Sequence, residues 1–585
     1  MTSPLLSRRD LDFLLHEWLD VTALTQHERY ADHGRETFDA AIDLAATIAE
    51  REFLPHNRAS DEAEPTFDGT TVTVHPAIKP ALKAFADAGF VGAGMPASVG
   101  GMQLPAVVTQ ACFAWFLAAN VGTSSYPLLT MANANLLLAH GTPEQVEQYV
   151  VPMLEGRYFG TMCLSEPQAG SSLADITTRA EPQGDGTYLV TGNKMWISAG
   201  DHELSENIVH LVLAKVPGGL PGSKGISLFL VPKVLPDGTR NDVQLAGLNH
   251  KMGYRGTVNT LLNFGERGGA VGWLVGEEGK GLPAMFHMMN EARIGVGLGA
   301  TVLGYRGYLA ALDYAKNRPQ GRTSRDPLSP QVPIVEHADV RRMLLAMKSY
   351  VEGALALELY CARLVDTEHL GTDHPGSARA SELLGMLTPI AKSWPSQWCL
   401  AANDLAIQVH GGYGYTREYP VEQLYRDNRL NPIHEGTHGI QALDLLGRKV
   451  TQNGGAGLVL LCEVIGETVS RAAGASDPRT AEHARALQSA VDRVVEVTGK
   501  VWGCGDVALA LANATVYLEA VGHVVLAWMW LEQELAAAGK DGAFYDGKRA
   551  AAAYFFSWEL PKTGPMLDLL ASLDRTTLDV DPAVL

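Results

Sequence analysis

Four short stretches hold residues whose types and spacing suit catalysis or ligand binding. In Ile433-His-Glu-Gly-Thr-His438, Glu435 stands just before a Gly-Thr turn and an apparent helix. A carboxylate partly withdrawn from water has a raised pKa and can take a proton near neutrality. Read alone, Glu435 is better explained as a helix-start acid favoured by the macrodipole. His434 and His438 flank it four apart, as paired metal ligands would. No third ligand is evident, so no metal site is expected.

Leu164-Ser-Glu-Pro-Gln-Ala-Gly-Ser-Ser172 combines hydroxyls with a glycine turn. Such a turn can aim several backbone N–H groups to one side, a cradle for an electron-rich ring edge or a phosphate. An ordinary polar turn is the plainer alternative. Lys194-Met-Trp-Ile-Ser198 sets a tryptophan beside a strand hydroxyl, able to border a flat cofactor, though tryptophan is also a common core residue. Gln408-Val-His-Gly-Gly-Tyr-Gly-Tyr415 has three glycines in four positions, which allow a close approach to a ligand or simply a turn.

The elements that must position these residues change in texture along the chain. Residues 1–160 read as helices: Phe38-Ala41-Leu44-Ala45-Ile48 carries helical periodicity. Thr142-Pro143-Glu-Gln145 has the form of an N-cap, a first-turn proline and a capping box. Residues 161–282 hold short β-branched or aromatic runs, Tyr188–Thr191, Met195–Ser198, Ile208–Leu213, Ile226–Val231 and Thr257–Phe264, which predict an antiparallel sheet or barrel. Residues 283–452 return to long alanine-rich helices, among them 300–315 and 340–364, suited to an antiparallel bundle. After Asn453-Gly-Gly-Ala-Gly457, residues 458–585 form a further helical region. The fold class is therefore α+β, mostly α, with a β module between helical parts. No G-x-G-x-x-G after a strand and no Walker motif is present, which disfavours Rossmann and P-loop nucleotide sites.

Composition narrows the partner classes. The 585 residues carry 46 Lys and Arg against 65 Asp and Glu, a net charge of −19. A general nucleic-acid coat needs concentrated basic charge, and no long basic run appears. The scattered cysteines Cys112, Cys163, Cys361, Cys399, Cys462 and Cys504 form no C-x-x-C pair and fit reduced thiols in a cytoplasmic protein. Asp10, Asp12 and Glu17 interrupt any secretory core, so no signal peptide is expected. Val507–Leu531 is long and apolar enough for a membrane check. Its Asn513, Glu519 and His523 favour a buried helix, with peripheral membrane contact of the C-terminal region left open.

Each stretch is weak alone, but their order and spacing are specific. Ser-Glu-Pro-x-Ala-Gly-Ser, Lys-Met-Trp-Ile-Ser, Lys251-Met-Gly-Tyr-Arg255, Asn290-x-x-Arg293, Gln-x-x-Gly-Gly-x-Gly and Glu-Gly-Thr-x-x-Ile-Gln follow one another over roughly residues 38–450. This series resembles the acyl-CoA dehydrogenase flavoenzymes. Glu435-to-Arg448 and the helical appendix resemble a longer subgroup that includes 3-(methylthio)propanoyl-CoA dehydrogenases and bacterial long-chain enzymes.

The resemblance implies a helical N-terminal domain, a β-barrel, a four-helix bundle and a helical extension. It implies FAD, oxidation of an acyl-CoA to the trans-2-enoyl-CoA as in fatty-acid β-oxidation, and Glu435 as the base for the α proton. By similarity, FAD meets Leu164, Ser165, Gly170, Ser171, Trp196, Ser198, Arg318, Gln408, Gly411, Gly412 and Thr437. Ser171, Asn290, Arg293 and Gly436 match positions on the substrate side. Electron-transferring flavoprotein is the implied acceptor and a homodimer or larger homo-oligomer the implied assembly. Some features depart from the pattern. His434 replaces the usual tyrosine before the base, His438 and Gly439 follow Thr437, and Arg318-Pro-Gln-Gly-Arg322 lacks the usual phenylalanine. Ala292 stands where some branched-chain relatives carry their base, which points to a substrate unbranched near the reacting carbons. A flavin-containing DNA-damage-response protein is the alternative from another class, but those relatives carry a basic C-terminal surface and this appendix has no basic block. A non-catalytic family subunit is a second alternative, disfavoured because Glu435, Ser165, Ser198 and Thr437 are all kept.

Overall fold

The computed structural model describes residues 3–585, with residues 287–291 described by their backbone alone. Two compact units divide the chain: Glu28–Gly295, and Met1–His27 together with Val296–Leu585.

In the first unit, α1 (Arg35–Ile48) buries Phe38, Ile42 and Ala45 and packs on α3 (Ala106–Ala119). The buried stripe is rotated from the expected one, and Leu44 faces out. α2 (Ile78–Asp87) adds Phe85, which meets Phe116 of α3 edge-on at 4.8 Å; Phe53 meets Phe116 at 5.0 Å. Offset aromatic packing of this kind sets orientation as well as burying area. α4 (Val121–His140) starts from Asn120, whose side chain accepts from Thr123 N. The expected capping box at Thr142 and Gln145 is formed.

Strands β1 (Thr66–Phe67) and β2 (Val72–Thr73) make a small hairpin. The main sheet comprises β3 (Tyr158–Cys163), β4 (Arg179–Pro182), β5 (Tyr188–Ser198), β6 (Asn207–Lys215), β7 (Ile226–Pro232), β8 (Val243–Leu248), β9 (Asn259–Phe264) and β10 (Ala270–Val275). The path β10-β7-β6-β4-β5 returns to β10, which pairs with both β7 and β5, so the sheet closes into a barrel. It is mostly antiparallel. The two exceptions are β3 and β4, which run parallel to β6. Neither was among the expected strands: Arg-Ala-Glu-Pro has no β-branched or aromatic residue, and Tyr-Phe-Gly-Thr-Met-Cys has Tyr, Phe and Thr but a glycine among them. The barrel interior is filled by Cys163, Val190, Ile197, Val212, Phe229, Val231, Leu262 and Phe264 among others.

In the second unit, the distal part of α5 (Gly281–Asn317), α6 (Ala338–Glu368), α7 (Ser377–His410) and the short α8 (Val421–Asn428) and α9 (His438–Asp444) form the bundle. α10 (Ala456–Ala473), α11 (Pro478–Gly503), α12 (Ala514–Ala536), α13 (Ala543–Tyr554) and α14 (Thr563–Ala571) complete the extension. The apolar run at 507–531 is broken at Ala512–Asn513 into two helices. Among the described residues, α12 alone is long and apolar enough to cross a membrane, and 83% of its most apolar window is buried in the fold. Two of its indoles bond inside the fold: Trp530 Nε1 donates to Ser349 O and Trp528 Nε1 to Thr468 Oγ1.

The first 27 residues group with the bundle and extension, although the sequence reading counted them with the N-terminal helices. The segment buries Leu5, Leu6, Leu11, Phe13, Leu14 and Leu15, with Phe13 edge-on to Phe544 at 5.5 Å, and adds a buried ion-pair network. Asp10 is buried and pairs with Lys548 of α13 at 2.5 Å; Lys548 also pairs with Glu352 of α6 at 2.9 Å. Tyr305 donates to Asp10 at 3.0 Å and Lys348 pairs with Glu352. Charges this deep are tolerable only when mutually compensated.

Candidate active site

The loop 164–172 of the first unit is held from below by a buried ion pair. Glu166 Oε1 lies 3.0 Å from Lys194 Nζ, with side-chain exposures of 1% and 0%. Lys194 also donates to Leu164 O at 2.9 Å, and Met195 N donates to Ser165 O at 3.0 Å. Burial alone would raise the Glu166 carboxyl. The Lys194 charge and hydrogen bonds from Thr178 and Thr177 outweigh it and hold the carboxyl at about 2. Burial pushes the Lys194 ammonium below its ordinary range, although Glu166 opposes the shift. The loop and β5 are thus one rigid piece, with Ser165 half-buried and Gly170 and Ser171 exposed.

β5 bulges between Lys194 and Ile197, and Trp196 takes φ +65° in the bulge. A non-glycine residue in that region costs roughly 1–3 kcal/mol. The bulge re-aims the side chain, leaving the indole 59% exposed. Two residues on, Ser198 Oγ accepts from Asn259 Nδ2 at 3.3 Å. An exposed indole beside a hydroxyl and a polar loop is a surface built for a flat ligand rather than a core.

In the second unit, Glu435 sits in a strained turn with φ +53°, followed by Gly436 at φ +91°. Thr437 caps α9, its hydroxyl accepting from Ile440 N at 3.4 Å. Gln441 Nε2 donates to Glu435 O at 3.0 Å, and Lys392 Nζ of α7 donates to Gly436 O at 2.6 Å. A Cβ on Gly436 would lie 2.5 Å from Gln441 Nε2, so this position requires glycine. The turn therefore presents a carboxylate on a frame fixed by two different helices.

His434 ends a ladder of buried asparagines. Asn403 Nδ2 donates to Leu303 O, so its Oδ1 accepts from Asn428 Nδ2, which also donates to Ala300 O. Asn428 Oδ1 then accepts from Asn431 Nδ2, and Asn431 Oδ1 faces His434 Nε2 at 3.0 Å. Two backbone carbonyls thus fix every amide's direction, and His434 Nε2 must carry the hydrogen. Burial first, then the charge of Lys392, hold the His434 imidazole at about 3. His438 is held at about 4 by burial, Lys392 and Arg429.

The glycine strip lies at the end of α7. The helix runs to His410, and Gly411 leaves it at φ +62° into a 3₁₀ turn ending at Tyr415. His410 stacks on Tyr314 at 4.3 Å, and the Arg318 guanidinium lies 5.5 Å from the Tyr413 ring. Gln408, Gly411 and Gly412 are exposed, and no atom lies within 4 Å of where a Cβ on either glycine would sit. An arginine beside an open glycine strip suits a pyrophosphate.

The structure thus joins 164–172 with 194–198, joins Arg318 with 411–415, and sets Glu435, Gly436 and Thr437 on one turn. Arg293 is buried, at 3% exposure. Asn290 is among the residues described by their backbone alone, so its side chain lies outside the description. Sequence reasoning gave no role to Glu166, Lys194, Lys392, Gln441 or the asparagine ladder. A lysine inside an otherwise apolar helix run, Leu387-Thr-Pro-Ile-Ala-Lys392, was the available signal.

The chain belongs to the acyl-CoA dehydrogenase family: its N-terminal domain model matches residues 35–157, the middle domain 161–266 and the C-terminal domain 279–450. A further model, acetyl-CoA dehydrogenase C-terminal like, matches 461–581. The chain is 35% identical to 3-methylmercaptopropionyl-CoA dehydrogenase of Ruegeria pomeroyi, over 94% of both chains. It is 33% identical to the broad-specificity linear acyl-CoA dehydrogenase FadE5 of Mycobacterium tuberculosis, over 98% of both. An acyl-CoA dehydrogenase from Bacillus anthracis, solved with FAD, shares the fold with a TM-score of 0.75 and 21% identity, over 98% of this chain and 95% of that one.

Proposed function

We propose that this enzyme oxidises a linear acyl-CoA thioester to the trans-2-enoyl-CoA, with FAD as cofactor and Glu435 as the base that removes the α proton. The observation that carries this reading is the Glu435 turn. A carboxylate at the family's base position stands on a backbone fixed through Lys392, Gln441 and the Thr437 cap.

The residues fit FAD. Leu164, Ser165, Gly170 and Ser171 with Trp196 and Ser198 offer a rigid polar edge and an exposed ring for the flavin. Arg318 with Gln408, Gly411 and Gly412 offers a guanidinium and an open glycine strip for the diphosphate and adenosine. When bound, FAD supplies the two-electron acceptor for the β hydrogen. The chain's own part is to orient and to move the proton. Glu435 takes the α proton, and its backbone N–H donates to the thioester carbonyl as enolate charge grows there. The acyl chain excludes water around the carboxylate and brings its pKa toward that of the substrate. His434, neutral and Nε2-protonated, gives the acyl pocket a polar wall where relatives carry tyrosine. Ala292, at the position where some branched-chain relatives carry their base, is in keeping with a chain unbranched near the reacting carbons. Electron-transferring flavoprotein is the proposed acceptor, and the working form is a homo-oligomer.

Anaerobic titration of the yellow protein with acyl-CoAs of increasing length tests this. Bleaching of the flavin band by saturated linear acyl-CoAs is expected. Absence of bleaching across the whole series would contradict the reading.

A further inference from the structure

Ser198 ends β5 two residues past the exposed indole of Trp196 and faces Asn259 of β9 in antiparallel register. Asn259 is buried, and the backbone around it is held firmly. Val258 N donates to Tyr126 Oη at 3.1 Å, Ala199 N to Val258 O at 2.8 Å, and Asn249 N to Asn259 O at 2.8 Å. On the other side, Thr260 Oγ1 donates to Ile197 O at 2.9 Å. Ser198 and Asn259 thus meet across a strand pair fixed on both flanks.

Their side chains form a short relay. Asn249 Nδ2 donates to Asn259 Oδ1 at 2.8 Å, and Asn259 Nδ2 donates to Ser198 Oγ at 3.3 Å. A hydroxyl offers one hydrogen and two lone pairs. Asn259 turns only a donor toward it, because the amide oxygen is taken by Asn249. One lone pair of Ser198 Oγ is therefore filled, and the hydroxyl hydrogen has no acceptor in the relay. It must point away from Asn259. Ser198 is half-buried beside the exposed indole, so that hydrogen is left for an acceptor on a bound ring. An amide oxygen facing Ser198 would have consumed the same hydrogen.

We infer that Asn259 is a positioning residue for the cofactor: it fills one lone pair of Ser198 Oγ and so leaves the Ser198 hydrogen to an acceptor on the flavin edge. The inference rests on the proposed seating of FAD beside Ser198. Ser198→Ala, Asn259→Leu and Asn259→Asp, alone and with Ser198→Ala, test it by two readouts, the FAD dissociation constant and the flavin reduction potential. Ser198→Ala weakens FAD about three- to tenfold, the worth of one net hydrogen bond, and moves the potential. Asn259→Leu leaves the hydroxyl unaimed, so FAD weakens about two- to fivefold and the potential moves in the same direction. Asn259→Asp has nearly the same shape but offers an acceptor that captures the hydrogen, and loses at least as much affinity as Ser198→Ala. Combined with Ser198→Ala, Asn259→Leu changes neither readout further, whereas a merely structural role would persist in that background. Equal shifts with and without Ser198→Ala would overturn the inference, as would an Asn259→Leu protein that holds FAD as tightly as wild type or more tightly. Should Asn259→Leu fail to fold, Asn259→Asp decides: an equal loss in both backgrounds overturns the inference. Ser198→Ala with wild-type affinity and potential would overturn it too, while leaving the proposed oxidation standing. Wild-type protein that holds no FAD would sink the proposed function and this inference with it.

Discussion

Replacing Glu166 by glutamine tests how the 164–172 loop is held. Glu166 Oε1 accepts from Thr178 N at 3.0 Å, Thr178 Oγ1 at 2.6 Å and Lys194 Nζ at 3.0 Å. Oε2 accepts from Thr177 N at 2.7 Å, Thr177 Oγ1 at 2.8 Å and Gln168 Nε2 at 2.7 Å. Glutamine has nearly the same shape but keeps one acceptor oxygen, and its NH₂ would face donors. It also strands the Lys194 charge in a buried site. Breaking one partner of a buried pair costs about 3–5 kcal/mol, and the orphaned donors press toward the upper end. If FAD binding must restore the loop, most of that cost appears as lost affinity, a factor of about 100 or more at 3 kcal/mol. The assay is the FAD dissociation constant of wild type and Glu166→Gln, with hydrogen exchange over 164–178. Replacing both partners, Glu166→Leu with Lys194→Met, recovers part of the loss because no charge is then left unpaired. The wild-type carboxyl is held at about 2, below the ordinary ~4.3. Its stabilisation is full above the ordinary value and fades as pH falls toward 2; the glutamine variant lacks this fade. A Glu166→Gln protein that holds FAD within about threefold of wild type would refute the reasoning.

Two further outcomes are expected. Lys548→Met leaves Asp10 and Glu352 buried without their shared cation and destabilises the second unit by about 3–5 kcal/mol. Early proteolysis of the first 27 residues reports it, and unchanged resistance would contradict a role for this ion-pair network in holding the segment. Glu358 is fully buried with both oxygens unpartnered among the described residues, and burial raises its carboxyl well above the ordinary range. Glu358→Leu therefore stabilises the protein by about 1–3 kcal/mol near neutrality. A raised carboxyl contributes stability that is lost as pH rises above the unfolded value, so the variant's advantage in urea unfolding grows from about pH 5 to pH 8. An advantage independent of pH would contradict it.

Much of this molecule was legible in its sequence, for identifiable reasons. Local signals with a single physical cause came through: the Thr142 capping box, the β-branched runs of β6, β7 and β9, and the glycine exit at Gly411. The motif order gave the family. Features fixed by tertiary context did not come through. β3 and β4 pair in parallel with β6, and nothing in their residues announces that partner or its direction. The N-terminal segment's partners, Lys548 and Phe544, lie far off along the chain, Lys548 at 538 residues from Asp10. Lys194 and Lys392 each hold a carbonyl of a functional loop, Leu164 O and Gly436 O. A lone lysine in a sequence reads as surface charge until its burial is seen.

The central claim is that Glu435 removes the α proton, and rapid mixing of holoenzyme with a saturated linear acyl-CoA tests it most directly. Glu435→Gln keeps the size of the side chain and the Gln441 and Lys392 contacts to the backbone carbonyls at 435 and 436. The account predicts that this variant retains FAD, binds the acyl-CoA, and reduces its flavin slower by at least about 10²-fold. Flavin bleaching at the wild-type rate in Glu435→Gln would contradict it.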